Sequence, residues 1–416
     1  MEPTLEGAMA LARSATGPLS PHLPAFVTSL IDQRYAVVSV RAKAWRATAF
    51  DAWLSSHGVK LADVRDAHVD EFIRRPYQPR SDCQAPPRRH EPSAIRQLLG
   101  YLRGRGLCAT APIATVPADE VVTNFEQFLL RDRGLATTTT SSYRAITRDF
   151  LIHRFGNQHV ELGALVAADV IGYVQREAKR LRPRTLKQVV TALRVFLRYA
   201  VYRGDIDSSL VVAVPTVAVW TTTPPLPRAI SADLARRAIE SCDQNSAVGR
   251  RDRAVLLLLA RLGMRSGEVV ALMLDDIDWG SGHLRVRGKN RHECRLPLPD
   301  EVGTAIAAYL QDGRPASTDR RLFLRARAPL RGLMQGSDGV GSIVRNALQR
   351  TGEDAPRKGA HQFRHALAVR MLQDGASLPE IGELLRHRSP MSTAIYAKVD
   401  LVALRALVLP WPGAAS

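Results

Sequence analysis

Between residues 22 and 205 apolar positions recur at spacings of three and four, the pattern of one buried face on a helix. In "SSYRAITRDFLIHRFG" that face carries Tyr143, Ile146, Phe150 and Leu151, and Gly156 ends it. In "RTLKQVVTALRVFLRYAVYRG" it carries Leu186, Val189, Val190, Leu193, Phe196, Leu197 and Ala200, with Gly204 as the stop. Almost nothing in this region alternates with period two, so it predicts helices and turns. The texture changes after residue 231, where Ser231 is placed to cap a helix with Asp233 in its first turn. "GHLRVRGKNRHECRLPLP" predicts a hairpin: Leu284 and Val286 alternate with Arg285 and Arg287, "GKN" turns, and "ECRLPL" returns. The C-terminal part is therefore mixed, mainly helical with a small sheet.

The helical pattern occurs twice. "AWRATAFDAWL" matches "SYRAITRDFLI", with Trp45, Arg46, Ala47 and Asp51 over Tyr143, Arg144, Ala145 and Asp149. "LADVRDAHVDEFI" then matches "LGALVAADVIGYV", and "IRQLLGYLRGRG" matches "LRVFLRYAVYRG", in the same order and at offsets of 98 to 101. Two copies of one small helical domain account for this; the plainer alternative is that any two such domains share these spacings. The pattern predicts a tail at 1–21, a first helical domain at 22–110, a second at 118–205, a linker at 206–228, a catalytic domain at 229–400 and a tail at 401–416. The linker carries several prolines and a threonine cluster, and "RRPYQPRSDCQAPPRRHEP" reads as an insertion in the first copy.

Charge narrows the partner. Lys and Arg number 58 against 40 Asp and Glu, a net charge of +18. The excess is +5 over residues 1–110, +5 over 111–205 and +8 over 206–416, so each part of the chain is fit to meet phosphates. An anionic membrane is the weaker choice, because the run "AVLLLLA" falls far short of a span of roughly 20 residues. The acidic start "MEPTLEGAMA" and four widely separated cysteines point to a cytoplasmic protein without disulfides or a zinc knuckle.

Four short stretches carry candidate chemistry. In "RLGMRSGEVV", Arg265 follows the most apolar helix and is either a partner for Glu268 or a phosphate clamp. "HQFRHALAVRML" sets His361 and Arg364 three apart at a helix start, a suitable anion site or a solvated charged face. Lys289, at the hairpin tip, either reaches into a groove or is simply solvated. "LLRHRSPMSTAIYAKV" offers His387, then Ser389 as N-cap and Pro390 at the first helical position. Ile395 should face the core there, leaving Tyr396 at an angle to it, as packing, hydrogen-bond donor or nucleophile.

In this order the set resembles the active site of the tyrosine recombinases, the phage integrase family: "GMRSGE", "GKNRHECRLPL", "HQFRH", then His387 and Tyr396. The resemblance covers about 230–400, and 118–205 is similar to the family's core-binding domain. Together with the repeat it implies a multidomain, mainly α protein with two helical DNA-binding domains and an α+β catalytic domain, the extra copy at 22–108 exceeding the family's minimal two-domain plan. Arg386 departs from the pattern, standing where the family usually has a small residue, often Gly; Ala366 replaces the polar residue usual after "RH".

By this resemblance Tyr396 attacks the scissile phosphate to give a 3′-phosphotyrosyl bond. Arg265, Arg364 and His387 hold the nonbridging oxygens, His361 assists the tyrosine and its proton, and Lys289 protonates the leaving 5′ oxygen. Neither cofactor, metal nor ATP is implied. The implied partner is double-stranded DNA carrying specific sites, met by a homo-tetramer or by assemblies with related recombinases, in the bacterial cytoplasm at the nucleoid. Biologically, the family points to an integrase or transposase of a mobile element. The basic stretch "REAKRLRPRTLK", with Arg176, Lys179, Arg180, Arg182, Arg184 and Lys187, is the DNA-contact candidate; the alternative is a solvated helix end. The tail at 401–416 would dock on a neighbouring subunit. Two rivals share the site: a type IB topoisomerase, for which the duplicated arm has little use, and a binding-only helper, against which the intact set argues.

Overall fold

The computed structural model describes residues 4–75, 91–108, 116–217, 229–288, 293–334, 339–353, 359–387 and 389–397. Most of the Pro- and Arg-rich insertion, residues 218–228 of the linker, Lys289 and the tail at 401–416 lie outside the described residues. Contacts divide the chain into two compact units, one of Met1–Trp53, Asp82–Ile95 and Thr223–Ser416, the other of Leu54–Ser81 and Arg96–Thr222.

The N-terminal helices are α1 (Leu5–Arg13), α2 (Leu23–Asp32), α3 (Val37–Ser56), α4 (Asp66–Arg74) and α5 (Glu91–Gly104), with a 3-10 turn at Leu61–Asp63. The next set is α6 (Ala118–Arg131), α7 (Thr137–Phe155), α8 (Ala167–Arg180) and α9 (Pro183–Tyr202), with a 3-10 turn at Leu162–Ala164. Among the described residues the order from α2 and from α6 onward is the same: two helices, a 3-10 turn, two helices. All seven stripe residues expected on α9 are buried, as are Phe150 and Leu151 of α7. Pro183 starts α9, where its missing N–H costs nothing, and Gly204, at φ +78°, follows its end.

Two stretches differ from the sequence pattern. Residues 206–217, without helical period, form a one-turn α10 (Ser209–Val212), and Leu210 and Val214 close the core of the second helical set. Residues 1–21, expected as a tail, carry α1, whose Ala8 and Ala12 are buried. A residue pairing far along the chain explains this: the buried Asp51 carboxylate accepts the backbone N–H groups of Gly17, at 2.7 Å, and Leu19, at 2.6 Å. A Cβ on residue 17 would lie 2.5 Å from the Asp51 carbonyl oxygen, so the approach requires glycine. Its counterpart Asp149 accepts instead from Tyr173, at 2.9 Å, and Arg176, at 2.6 Å. Asp51→Ala would orphan two N–H groups and should cost roughly 2 kcal/mol or more of stability. Urea unfolding checks this; a loss below about 0.5 kcal/mol, the scatter of surface changes, would count against it.

The C-terminal part is built around α12 (Ala247–Arg261), whose residues Ala254–Ala260 are all buried. Around it pack α11 (Ala232–Glu240), α14 (Asp300–Asp312), α15 (Val340–Arg350) and α16 (His361–Gln373). Ser231 caps α11 as expected, its hydroxyl accepting the Leu234 N–H at 3.0 Å. The hairpin is β2 (His283–Arg287) with β3 (Glu293–Pro297), extended by a two-residue strand β1 (Ile277–Asp278) that the pattern does not reveal; the order is β1-β2-β3, antiparallel. Leu284 faces Leu296, and Val286 faces Cys294; Leu284, Val286 and Leu296 supply the buried face. The short helices α13 (Ser266–Ala271), α17 (Leu378–Leu384) and α18 (Pro390–Thr393) carry the candidate residues at their ends. No helix among the described residues is long and apolar enough to cross a membrane.

Candidate active site

Arg364 is the centre of this site, only 1% exposed. Its guanidinium donates to the Gly263 carbonyl, in the turn after α12, and to the Leu385 carbonyl, at the end of α17. One side chain thus fastens the loops that hold Arg265 and His387. Gly263 has φ +54°, and a Cβ there would lie 2.5 Å from Leu385 and 3.1 Å from Leu367, so bulk is excluded on both counts. Burial, then the Arg265 and Arg386 guanidiniums, push Arg364 down to about 10, which leaves it charged at neutral pH.

Arg265 proves to be a partner for Glu268. Its backbone N–H donates to the Glu268 carboxylate at 2.8 Å and its side chain donates at 2.7 Å. A further donor reaches the Arg386 carbonyl at 3.3 Å, while the side chain keeps 43% of its surface in solvent. Of five guanidinium N–H groups only these two are committed among the described residues, so a clamp on an anion is still open to it. Burial alone would raise the Glu268 carboxyl. The Arg265 N–H, the Arg386 guanidinium and the Arg265 side chain together hold it below its usual range.

Arg386 explains its own departure from the family pattern. It sits at φ +55°, a left-handed conformation that a glycine adopts freely and an L side chain does not. Its guanidinium is turned inward to Glu268, at 2.9 Å, and to the Leu384 carbonyl, at 3.1 Å. The ion pair, 15% and 5% exposed, offsets the backbone cost. Arg386→Ala keeps the strain and loses the pair, whereas Arg386→Gly loses the pair but relieves roughly 1 kcal/mol of strain. Thermal unfolding should therefore rank wild type above the glycine variant and that above alanine; an alanine variant as stable as glycine would show that the left-handed backbone matters little.

His387 sets its Nδ1 2.8 Å from the Thr393 hydroxyl, tying α18 to the end of α17. Burial first, then Arg364 and Arg265, push this imidazole down to about 4, so it is neutral at pH 7. The chain continues from α18 into a turn that carries Tyr396. Ser389 precedes α18 with Pro390 at its first position, as expected, but its hydroxyl makes no capping bond. A second correction concerns Tyr396 itself, which does not stand at an angle to the core: it is 1% exposed and packs with Ala368, Ile381 and Leu385, while Ile395 is only partly buried. Because α18 ends at Thr393, the following turn, not helical phase, decides which side chain points inward.

The Tyr396 hydroxyl lies 2.7 Å from Nδ1 of His365, a residue the sequence reading passed over. The signal was present in "HQFRH", whose second His falls one helical turn after His361. The His361 and His365 rings meet edge to face at 4.6 Å. His361 is the exposed first residue of α16, its imidazole lowered by partial burial and then by Arg364 and Arg265. Arg265, His361, Arg364, His387 and Tyr396 are thus brought together; Lys289 falls outside the described residues.

The six candidate DNA-contact residues divide. Arg176 pairs with Asp149, at 2.6 Å, and with Glu177, at 3.1 Å; Arg180 also pairs with the buried Glu177. Lys179, Arg182, Arg184 and Lys187 are exposed, and Arg184 and Lys187 line a groove of about 530 Å³ with Thr138, Thr139, Ser142 and Tyr143.

The model of the phage integrase family matches residues 228–401. The chain is 47% identical over 413 residues to a Sinorhizobium fredii (strain NBRC 101917 / NGR234) protein, y4rA, that carries an integrase/recombinase name, covering 98% of both. It is 26% identical over 294 residues to tyrosine recombinase XerD of Listeria monocytogenes serovar 1/2a (strain ATCC BAA-679 / EGD-e), covering 69% of this chain and 96% of that one. The fold is similar to that of the XerH site-specific recombinase bound to palindromic difH substrate, at TM-score 0.52 and 17% identity over 75% of this chain and 93% of that one. It is also similar to the Tn1549 transposon integrase in complex with circular intermediate DNA, at TM-score 0.50 and 18% identity over 70% of this chain and 99% of that one. With 47% identity over almost its whole length to an integrase/recombinase, and with this constellation of side chains, the chain belongs to the phage integrase family, the tyrosine recombinases that break and rejoin DNA.

Proposed function

We propose that Tyr396 is the nucleophile, attacking a scissile phosphate to form a 3′-phosphotyrosyl bond and release a 5′ hydroxyl, without metal or ATP. The observation that carries this reading is the meeting of three chain segments on one guanidinium, Arg364, with a phenol beside them. Arg265 offers its uncommitted donors to the nonbridging oxygens, and Arg364 adds a fixed positive charge behind them. Neutral His387, with Nδ1 against Thr393, is suited to donate from its other nitrogen. His361 faces the same anion from the start of α16, an end of the helix whose dipole also favours it. Lys289, between β2 and β3, protonates the leaving oxygen. The covalent bond keeps the energy of the phosphodiester, so a second 5′ hydroxyl can reverse the step and exchange strands.

The partner is double-stranded DNA with specific recombination sites, bound in the cytoplasm at the nucleoid. Four copies, or copies mixed with related recombinases, assemble on two such sites. The groove lined by Arg184, Lys187 and five hydroxyl-bearing residues supports backbone contact by the helical domain, with hydroxyl donors beside cations. Exposed Lys179 and Arg182 extend that surface, while Arg176 and Arg180 would first have to exchange their carboxylate partners. The division into helical domains at 22–110 and 118–205 and a catalytic domain at 229–400 fits a chain that reads DNA along its length, as an integrase or transposase of a mobile element does. The tail at 401–416 docks on a neighbouring copy; if its deletion left synapsis intact, that part would be dropped.

Covalent protein–DNA adducts purified under denaturing conditions, without cross-linker, from cells expressing the chain test the chemistry and yield the site. Released DNA should carry a peptide on its 3′ phosphate, bonded through Tyr396, and a free 5′ hydroxyl opposite. A 5′ linkage, or no adduct, would refute the proposal. Relaxation of supercoils with no exchange of flanking markers would put a topoisomerase in its place.

A further inference from the structure

We propose that His365 is the catalytic proton acceptor for Tyr396, the role that the family resemblance gives to His361. The inference rests on Tyr396 being the nucleophile. The phenol hydroxyl has one hydrogen-bond partner among the described residues, Nδ1 of His365 at 2.7 Å, within reach for direct proton transfer. The ring centroids are 5.6 Å apart at 62°, so the imidazole edge addresses the hydroxyl and does not stack on the phenol. Tyr396 is 1% exposed, and in this state His365 is the group placed at its hydroxyl. His361 meets His365 and has no bond to the phenol among the described residues.

The backbone fixes this geometry. His365 is the fifth residue of α16, between buried Arg364 and Ala366, and Arg364 is itself held to two carbonyls. An acceptor is needed, because burial pushes the phenol up to about 12 and so keeps it protonated at neutral pH. Among the described residues, His361 on α16 and Tyr396 after α18 meet His365 directly, and His387 after α17 feels it together with Arg364 and Arg265. In the step itself the Tyr396 oxygen bonds to phosphorus while its proton passes to His365 Nδ1. The bond from phosphorus to the 5′ oxygen breaks, and that oxygen leaves as a hydroxyl after protonation by the site's acid. On rejoining, the phenol recovers its proton from the imidazolium.

The test uses the full chain and a nicked suicide duplex carrying the site recovered from trapped adducts, with the rate of adduct formation as readout. His365→Ala should lower that rate about 100-fold or more with DNA affinity unchanged. His365→Gln, which keeps size and a hydrogen bond but has no basic nitrogen, should fold and be equally slow. A difluorotyrosine at position 396, whose phenol ionises more readily, should restore most of the rate lost in His365→Gln and none of that lost in His361→Ala. A wild-type rate in either His365 variant, a faster one (a resting clasp on the phenol), or a loss that the fluorinated phenol fails to repair would overturn the proposal. Should the wild-type chain form no adduct through Tyr396, the nucleophile assignment itself would fail, a result separable from the others.

Discussion

Tyr396→Phe is expected to bind DNA as the wild type does and to form no covalent adduct at all. The substitution removes one oxygen from a side chain that is 1% exposed and leaves its packing against Ala368, Ile381 and Leu385 in place. Only the hydrogen bond to His365 is lost, which should change stability by no more than roughly 1 kcal/mol. Activity has no such fallback, because a phenyl ring cannot bond to phosphorus. Gel-shift affinity, urea unfolding and denaturing recovery of adducts read the three quantities separately. Adducts that persist in this variant would mean that another residue is the nucleophile.

The second large effect is at Arg364, whose replacement should damage both stability and chemistry. Alanine leaves the Gly263 and Leu385 carbonyls without their donor in a buried place, at roughly 1 to 3 kcal/mol each. It also releases the turn that carries Arg265 and the helix end that carries His387. Loss of one preorganised donor typically slows chemistry about 100- to 1,000-fold, and this variant should lose at least that, since two further groups lose their anchor. Arg364→Lys separates charge from geometry. A lysine keeps a positive charge, but one ammonium does not reproduce a planar fork spanning two carbonyls on different loops. Its stability should recover in part and its adduct rate hardly at all, measured at a temperature where both variants are folded. A wild-type rate for lysine would show that charge alone matters there.

Asp51 and Asp149 show how far sequence repetition reaches. The two carboxylates align, and the helices around them follow the same order. Yet Asp51 holds the backbone of Gly17 and Leu19, while Asp149 binds Tyr173 and Arg176. Periodicity reports which face of a helix is apolar; it carries no information on which distant segment comes to lie against a given carboxylate. For that reason α1 and the turn after it had no signature in residues 1–21.

Local physics made much of this protein legible in one dimension. Helical stripes, the Leu284/Val286 alternation and the capping position at Ser231 each depend on neighbours within a few residues, so the chain itself determined them. The order of Arg265, His361, Arg364, His387 and Tyr396 also pointed to the family. Only the tertiary structure decided that Glu268 is shared by Arg265 and Arg386, that Arg386 adopts a left-handed backbone, that Tyr396 faces inward and that His365 is its partner. Those choices depend on contacts such as Arg364 to Gly263, 101 residues apart, where packing between loops, and no repeating pattern, selects the partner.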